Sequence, residues 1–271
     1  WQLGDWLPQS GLHHFTAQAS VKGCGTDFLS DRSSLEAQLC IDSIGYENWN
    51  LGNMGLDAKL HEGYGQIQIN SGNELLDMLA NAELRLRNRK LESSSFSMDL
   101  NSMDLYALHL AKDTMKASMK MHIEGSSDLR QTHALDAHAD HIMLSLKDTT
   151  FHPVELGARL RLSPDSILAQ ASAGDLELSV RSPHGLDSLN IYAQRLLQEI
   201  HTETDSLRLD QEKLRQMLPT LQVHLLCGTR NPINNLLRSA AGYTFDQLHP
   251  DLDSSPTDGL TGDGHIHTPN T

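Results

Sequence analysis

Two-residue alternation of apolar and polar side chains, repeated in segment after segment, constrains this chain more than any other feature. In MKASMKMHIEGS, residues 115 to 126, Met115, Ala117, Met119, Met121 and Ile123 fall on one side. Lys116, Ser118, Lys120, His122 and Glu124 fall on the other. Successive side chains of a strand point to opposite faces, so the pattern predicts a half-buried strand. Its apolar choice is unusual, because methionine is a weak strand former and a loose packer where Val, Ile or Phe would fill a core.

The same alternation runs through Phe15, Ala17, Ala19 and Val21, through Leu35, Ala37, Leu39 and Ile41, and through Met54, Leu56, Ala58 and Leu60. Ile67 with Ile69, Leu84 with Leu86, and Phe96, Met98 and Leu100 continue it. Leu144 with Leu146, then Leu156, Ala158, Leu160 and Leu162, then Leu176, Leu178 and Val180 complete the series. The turn signals EG, NSGN, SPDS and SAGD separate these segments at irregular intervals of about 8 to 14 residues. The prediction is a mainly β chain, a long antiparallel meander with one apolar face.

The period changes near residue 186. Leu186, Leu189, Ala193, Leu196 and Ile200 recur at helical spacing, and Tyr192 and Leu197 widen the stripe. A shorter helix follows, with Asp210 as N-cap, Leu214 and Leu218 inward and Pro219 as the stop. Leu221, Val223 and Leu225 then alternate as a strand, and NPINNLLRSAAG has the ends of a short helix, with Asn231 as cap, Pro232 at the first position and Gly242 as terminator. The expected organisation is a β segment over 1–181, a helical insert over 182–219 and a strand–helix–strand continuation over 220–271, within one continuous domain. The helical insert as a whole is expected near 186–241.

Composition removes several function classes. A net charge of −14 disfavours a phosphate-binding surface, and LRLRNRK (84–90) places Arg85 and Arg87 on one solvated strand face, so no nucleic-acid partner is expected. The chain has no apolar run of eighteen residues, so no transmembrane helix is expected. Cys24, Cys40 and Cys227 are too few and scattered for a disulfide scaffold or a zinc site, although a Cys24–Cys40 bridge is open to this spacing. Aromatic residues make up only 5% of the chain, which suits a thinly packed sheet better than a compact sandwich.

Catalytic signatures do not emerge. Asp136, His138 and Asp140 share one strand face and His265 stands near His267; either set could hold a divalent ion, but neither completes a recognised ligand set. Gly23, Gly25 and Thr26 read as a tight turn rather than a phosphate loop, because neither a third glycine nor Lys-Ser/Thr follows. No enzyme activity, cofactor or metal is expected from these patterns.

Four stretches taken together resemble a known family. GYENWNLGNMGLDAKLHEGYGQIQINSGNELL, DSILAQASAGDLELSVRSPHGLDSL, KLRQMLP and CGTRNPINNLLRSAAGYTFDQLHPDLDSSPTDGL follow the order seen in the middle of the TamB proteins of Bacteroidetes, members of the AsmA-like, repeating β-groove group. The resemblance spans roughly residues 10 to 265, and the order of the elements carries it rather than any one motif. It implies an elongated, curved sheet folded like a taco around an open apolar groove. It also implies an internal fragment of a periplasmic protein anchored in the inner membrane. Such a protein would move phospholipid toward the outer membrane, or support outer-membrane protein assembly with a barrel partner bound through other parts of the parent.

On that reading phospholipid acyl chains would lie against Met98, Leu100, Met115, Met119, Met121, Ile123, Leu144, Leu160 and Leu178. The helical stripe of Leu186, Leu189, Ala193, Leu196 and Ile200 would lie in or across the trough. A transmembrane barrel fits less well, since three Trp and five Tyr are too few for two aromatic girdles. The competing reading is a structural or adhesive extended β protein, a spacer or solenoid, whose apolar face is its own packed core.

Overall fold

The computed structural model describes residues 12–25, 27, 33–46, 49–146, 149–206, 210–231 and 247–267. The strands among them are β1 (Leu12–Cys24), β2 (Ser34–Tyr46), β3 (Trp49–His61), β4 (Tyr64–Gly72), β5 (Leu76–Arg87), β6 (Lys90–Asp104), β7 (Met115–Ser127), β8 (His133–Leu146) and β9 (Thr149–Phe151). After β10 (Leu156–Ser163), β11 (Ser166–Ala173) and β12 (Leu176–Ser182) come two helices, α1 (Leu186–Ser206) and α2 (Gln211–Gln216). β13 (Leu221–Cys227), β14 (Gln247–Ser255) and β15 (Gly259–His267) follow. The hydrogen-bonded path runs in chain order from β1 to β15, with β9 pairing only to β8, and it does not close on itself. The chain is thus the expected mainly β, antiparallel meander with few helices. The helix expected from Pro232 to Gly242 lies outside the described residues.

Two compact units divide the chain, Trp1–Leu129 with Ala137–Pro153, and Arg130–Asp136 with Val154–Thr271. In the first, most strands run 12 to 15 residues, longer than the apolar runs alone indicate. Tight turns explain the length. Glu62 and Gly63 sit at φ 50° and 75°, and Asn88 and Arg89 at 51° and 59°. Left-handed residues at both centres of a two-residue loop match the twist of the flanking strands, so pairing continues up to the turn.

Register then stacks the alternating residues into rows. Ala19, Leu39, Leu56, Ile69, Ala80, Met98 and Met121 are successive cross-strand partners from β1 to β7. Beside them run Val21, Ala37, Ala58, Ile67, Ala82, Phe96 and Ile123, and on the other side Ala17, Ile41, Met54, Ser71, Met78, Leu100 and Met119. In β6 the alternation slips by one residue between Leu100 and Met103. The register shifts there against both neighbours, and Met103 pairs with Leu76 and Ala117. A bulge at Asn101–Ser102 therefore returns Met103 to the apolar face.

The second unit repeats the logic over shorter strands. Leu160, Ala169, Val180, Val223 and Leu252 form one row, and Ala158, Ala171, Leu178 and Leu225 alternate alongside. Pro250 sits inside β14, where it cannot donate to a ladder. The β13–β14 pairing accordingly lapses after His224–Asp251 and resumes at Cys227–Leu248. Asp210 caps α2 by accepting the Lys213 amide at 3.1 Å, as its position predicts.

The expectation for α1 needs correction, and the open question of a Cys24–Cys40 bridge closes. Most of the α1 stripe stays exposed rather than covered: Leu186 is 56% and Ile200 39% exposed, Ala193 is exposed, and of the stripe only Leu189, Tyr192 and Leu196 are half-buried. The helix is instead tied to α2 by an ion pair from Lys213 to Glu199. Stripe periodicity reports an amphipathic helix, but not what covers it. Nor can Cys24 and Cys40 bridge. Cys24 pairs with Ser34 and Cys40 with Gln18, six positions apart along the strands, or about 20 Å at about 3.4 Å per residue. A disulfide needs Cα atoms within about 7 Å, and both thiols are free and exposed.

Candidate functional site

The apolar face of β1–β7 is the most extended chemical feature of the first unit. Seven strands at about 4.8 Å spacing carry its rows across about 29 Å. Only Leu51, Ala80 and Leu100 reach the buried state among the hydrophobic residues described in this unit, with Leu100 3% and Ala80 2% exposed. Met98, Met115, Met119, Met121 and Ile123 are half-buried, and Val21 is 68% exposed. This unit contains no helix among the described residues.

Register brings most of the expected residues together. Met98 faces Met121, Leu100 faces Met119, and Phe96 faces Ile123. Met115 lies at the start of β7, where its carbonyl accepts the Leu105 amide at 2.9 Å. Leu144 pairs with Phe151 of β9. Leu160 and Leu178 belong to adjacent rows of the second unit, opposite Ala169 and Ala171. A cleft of about 660 Å³ opens in the first unit between Asn50, the Asn73–Leu75 connection and Tyr106, Ala107, His109 and Ala111.

The opposite face is polar and cross-linked. Gln38 donates to Asp57 at 2.9 Å, Gln66 to Glu83 at 3.3 Å, and Lys120 pairs with Asp99 at 3.4 Å. Arg85 and Arg87 are exposed, as a solvated face requires. β1 continues through Gly23, opposite Leu35, and Gly25 just beyond its end takes a left-handed φ of 89°.

The first candidate metal set dissolves on inspection of Asp136. Its two oxygens accept from Arg159, at 2.8 Å, and from Arg161. Hydrogen bonds from Arg159 and then Arg161 hold its carboxyl below the ordinary range. A carboxylate already gripped by two guanidinium groups is a poor ligand for a cation. Asp140 is held by His141 at 2.6 Å and lies 3.5 Å from His138. Because the folded value of Asp136 is lowered, its stabilisation is full above the unfolded value near 3.9 and is lost as pH falls through the folded one. Asp136→Asn should therefore cost about 0.5–1 kcal/mol near neutral pH, a solvent-screened pair, and the difference should shrink below about pH 4 in denaturant titrations.

Sequence reading missed two clusters in the second unit. One joins the SAGD turn to the residues after β13. Asn231, fully buried, donates to Asp175 at 2.8 Å and to the Gly228 carbonyl at 2.6 Å, while the Arg230 amide donates to Asp175 at 2.7 Å. Desolvation pushes the Asp175 carboxyl up, but bonds from Asn231 and the Arg230 and Thr229 amides outweigh it and hold the carboxyl low. Burial, with Asp175 nearby, raises the Cys227 thiol. A Cβ at Gly228 would stand 2.5 Å from Asp175 Oδ2, so only glycine admits this approach.

The other cluster is His224, His249 and Asp251, whose ligand atoms all lie within 4.8 Å of one another. His224 pairs with Asp251 across β13–β14, and His249 lies two residues from Asp251 on the same face. The expected pair His265 and His267 contributes only a neighbour: His265 pairs with His249, and the His267 side chain lies outside the described residues. Alternation of Leu221, Val223 and Leu225 already places His224 on the polar face, but only register brings His249 and Asp251 to it.

No family model, curated protein or solved structure matches this chain. No helix among the described residues is long and apolar enough to cross a membrane.

Proposed function

We propose that the apolar face of β1–β7 receives lipid acyl chains, as a segment of a periplasmic, TamB-like conduit toward the outer membrane. The observation that carries the reading is the set of three continuous apolar rows, interrupted only by Ser71. Their width of about 29 Å exceeds the roughly 15 Å depth of one leaflet of a 30 Å hydrocarbon core. Each CH₂ withdrawn from water contributes about 0.8 kcal/mol, and the contact is non-directional, so a chain could slide without a deep trap. Methionines at 98, 119 and 121 supply flexible, polarizable contacts that adapt to chains of varying shape. No catalytic step is required.

A second reading is the spacer whose apolar face serves only as its own core. Leu100 and Ala80, almost wholly buried, favour it locally. Native mass spectrometry after mild extraction separates the two. Co-purifying phospholipid is expected, and photo-crosslinkers at Met119 and Met121 should capture lipid while one at Lys120, on the polar face, should not. Met119→Asp with Met121→Asp should abolish the lipid adduct by at least tenfold in a folded protein. Capture of protein alone at both methionines, with no lipid in the spectrum, would overturn the conduit.

A further inference from the structure

We propose that His224, His249 and Asp251 form a binding site for a divalent transition-metal ion of the zinc type, on the polar face of β13 and β14. This site is independent of the apolar face. Two imidazoles and a carboxylate are the donor set such an ion takes, with bonds near 2.0–2.2 Å and room for water at a fourth position. Tetrahedral ligands at that bond length stand about 3.3 Å apart. Here His224 Nδ1 contacts Asp251 Oδ1, and His249 Nε2 lies 3.6 Å from the same oxygen. The two rings meet edge to face with centroids 4.8 Å apart. Small side-chain rotations suffice to open this triangle around an ion.

Unpaired polar atoms mark the same place. His249 Nε2 is buried without a hydrogen-bond partner, and so is Ser179 Oγ. Ser179 pairs with His224 across β12–β13, so it lies on the same polar face, one strand from His224 and two from His249. Buried polar atoms are ordinarily satisfied, so an imidazole nitrogen without a hydrogen bond inside a convergent donor set points to a missing partner. A cation satisfies the imidazole nitrogen directly. Asp263, opposite Asp251 on β15, adds negative potential to the approach. Pro250 separates His249 from Asp251 and interrupts the β13–β14 ladder beside them, a backbone irregularity of the kind found next to sites.

The test uses the untagged, chelator-treated chain, titrated with Co(II) and then with Zn(II) as competitor. One equivalent should bind, with a visible d–d absorption of tetrahedral or five-coordinate intensity that Zn(II) abolishes. His224→Ala, His249→Ala and Asp251→Asn should each weaken binding 10- to 100-fold, and His122→Ala on the other unit should not. No saturable binding by the parent chain, or less than a threefold loss in the His224→Ala, His249→Ala double variant, would overturn the site. Should the alanine variants not fold, diethyl pyrocarbonate footprinting of the parent decides: Zn(II) must protect His224 and His249, and unchanged modification rejects the proposal.

Discussion

Replacing Asn231 by alanine should destabilise the second unit by about 3 kcal/mol. Asn231 is fully buried and satisfies both Asp175 and the Gly228 carbonyl. Truncation leaves a carboxylate oxygen and a carbonyl without their donor, and each orphan costs its desolvation, more for the charged one. The cleanest readout is hydrogen exchange of amides in β11, β12 and β13, which should accelerate by about 100-fold, since 1.4 kcal/mol is tenfold. Gly228→Ala should act in the same direction, because its new Cβ would meet Asp175.

Acid tests the same knot from the other side. The Asp175 carboxyl is held below its ordinary value in the folded chain, so its bonds stabilise fully above the unfolded value near 3.9. That contribution disappears as pH falls through the folded value, and the gap between parent and Asn231→Ala should close with it. An alanine variant less than about 1 kcal/mol weaker at neutral pH would mean that the turn is held elsewhere.

Leu100→Ala should be the most damaging truncation on the apolar face, at about 3 kcal/mol in urea denaturation of the first unit. Leu100 is only 3% exposed and stands in the row of Met78 and Met119. Val21→Ala, at a residue 68% exposed, should cost under about 0.5 kcal/mol. Met121→Ala should fall between them, near about 1 kcal/mol, because that side chain is half-buried. This gradient separates a face held together at one place from a core packed throughout. Equal losses at Leu100, Met121 and Val21 would favour the spacer reading and weaken the case for lipid.

Much of the fold was legible because its signals are local. Alternation in β7 named every half-buried methionine, EG marked the turn at Glu62–Gly63, and Asp210 announced the α2 cap. Stripe periodicity likewise located α1. The bulge at Asn101–Ser102 emerged only from the partners of Met103.

The candidate sites were less legible, since each depends on partners distant in sequence. Asp136 read as a ligand beside His138 until Arg159 and Arg161 claimed its oxygens. His224 stands 27 residues from Asp251, and neither segment alone has ligand spacing.

By itself the sequence determined that this chain forms an antiparallel, one-faced sheet, because side chains alternate along any strand whatever its neighbours are. Only the tertiary structure decided which residues share a row, that Cys24 and Cys40 stand apart, that most of the α1 stripe stays exposed and that two histidines converge on Asp251. Those outcomes follow from register and coverage. Turns and bulges set register over long separations, and coverage depends on which element lies over a face.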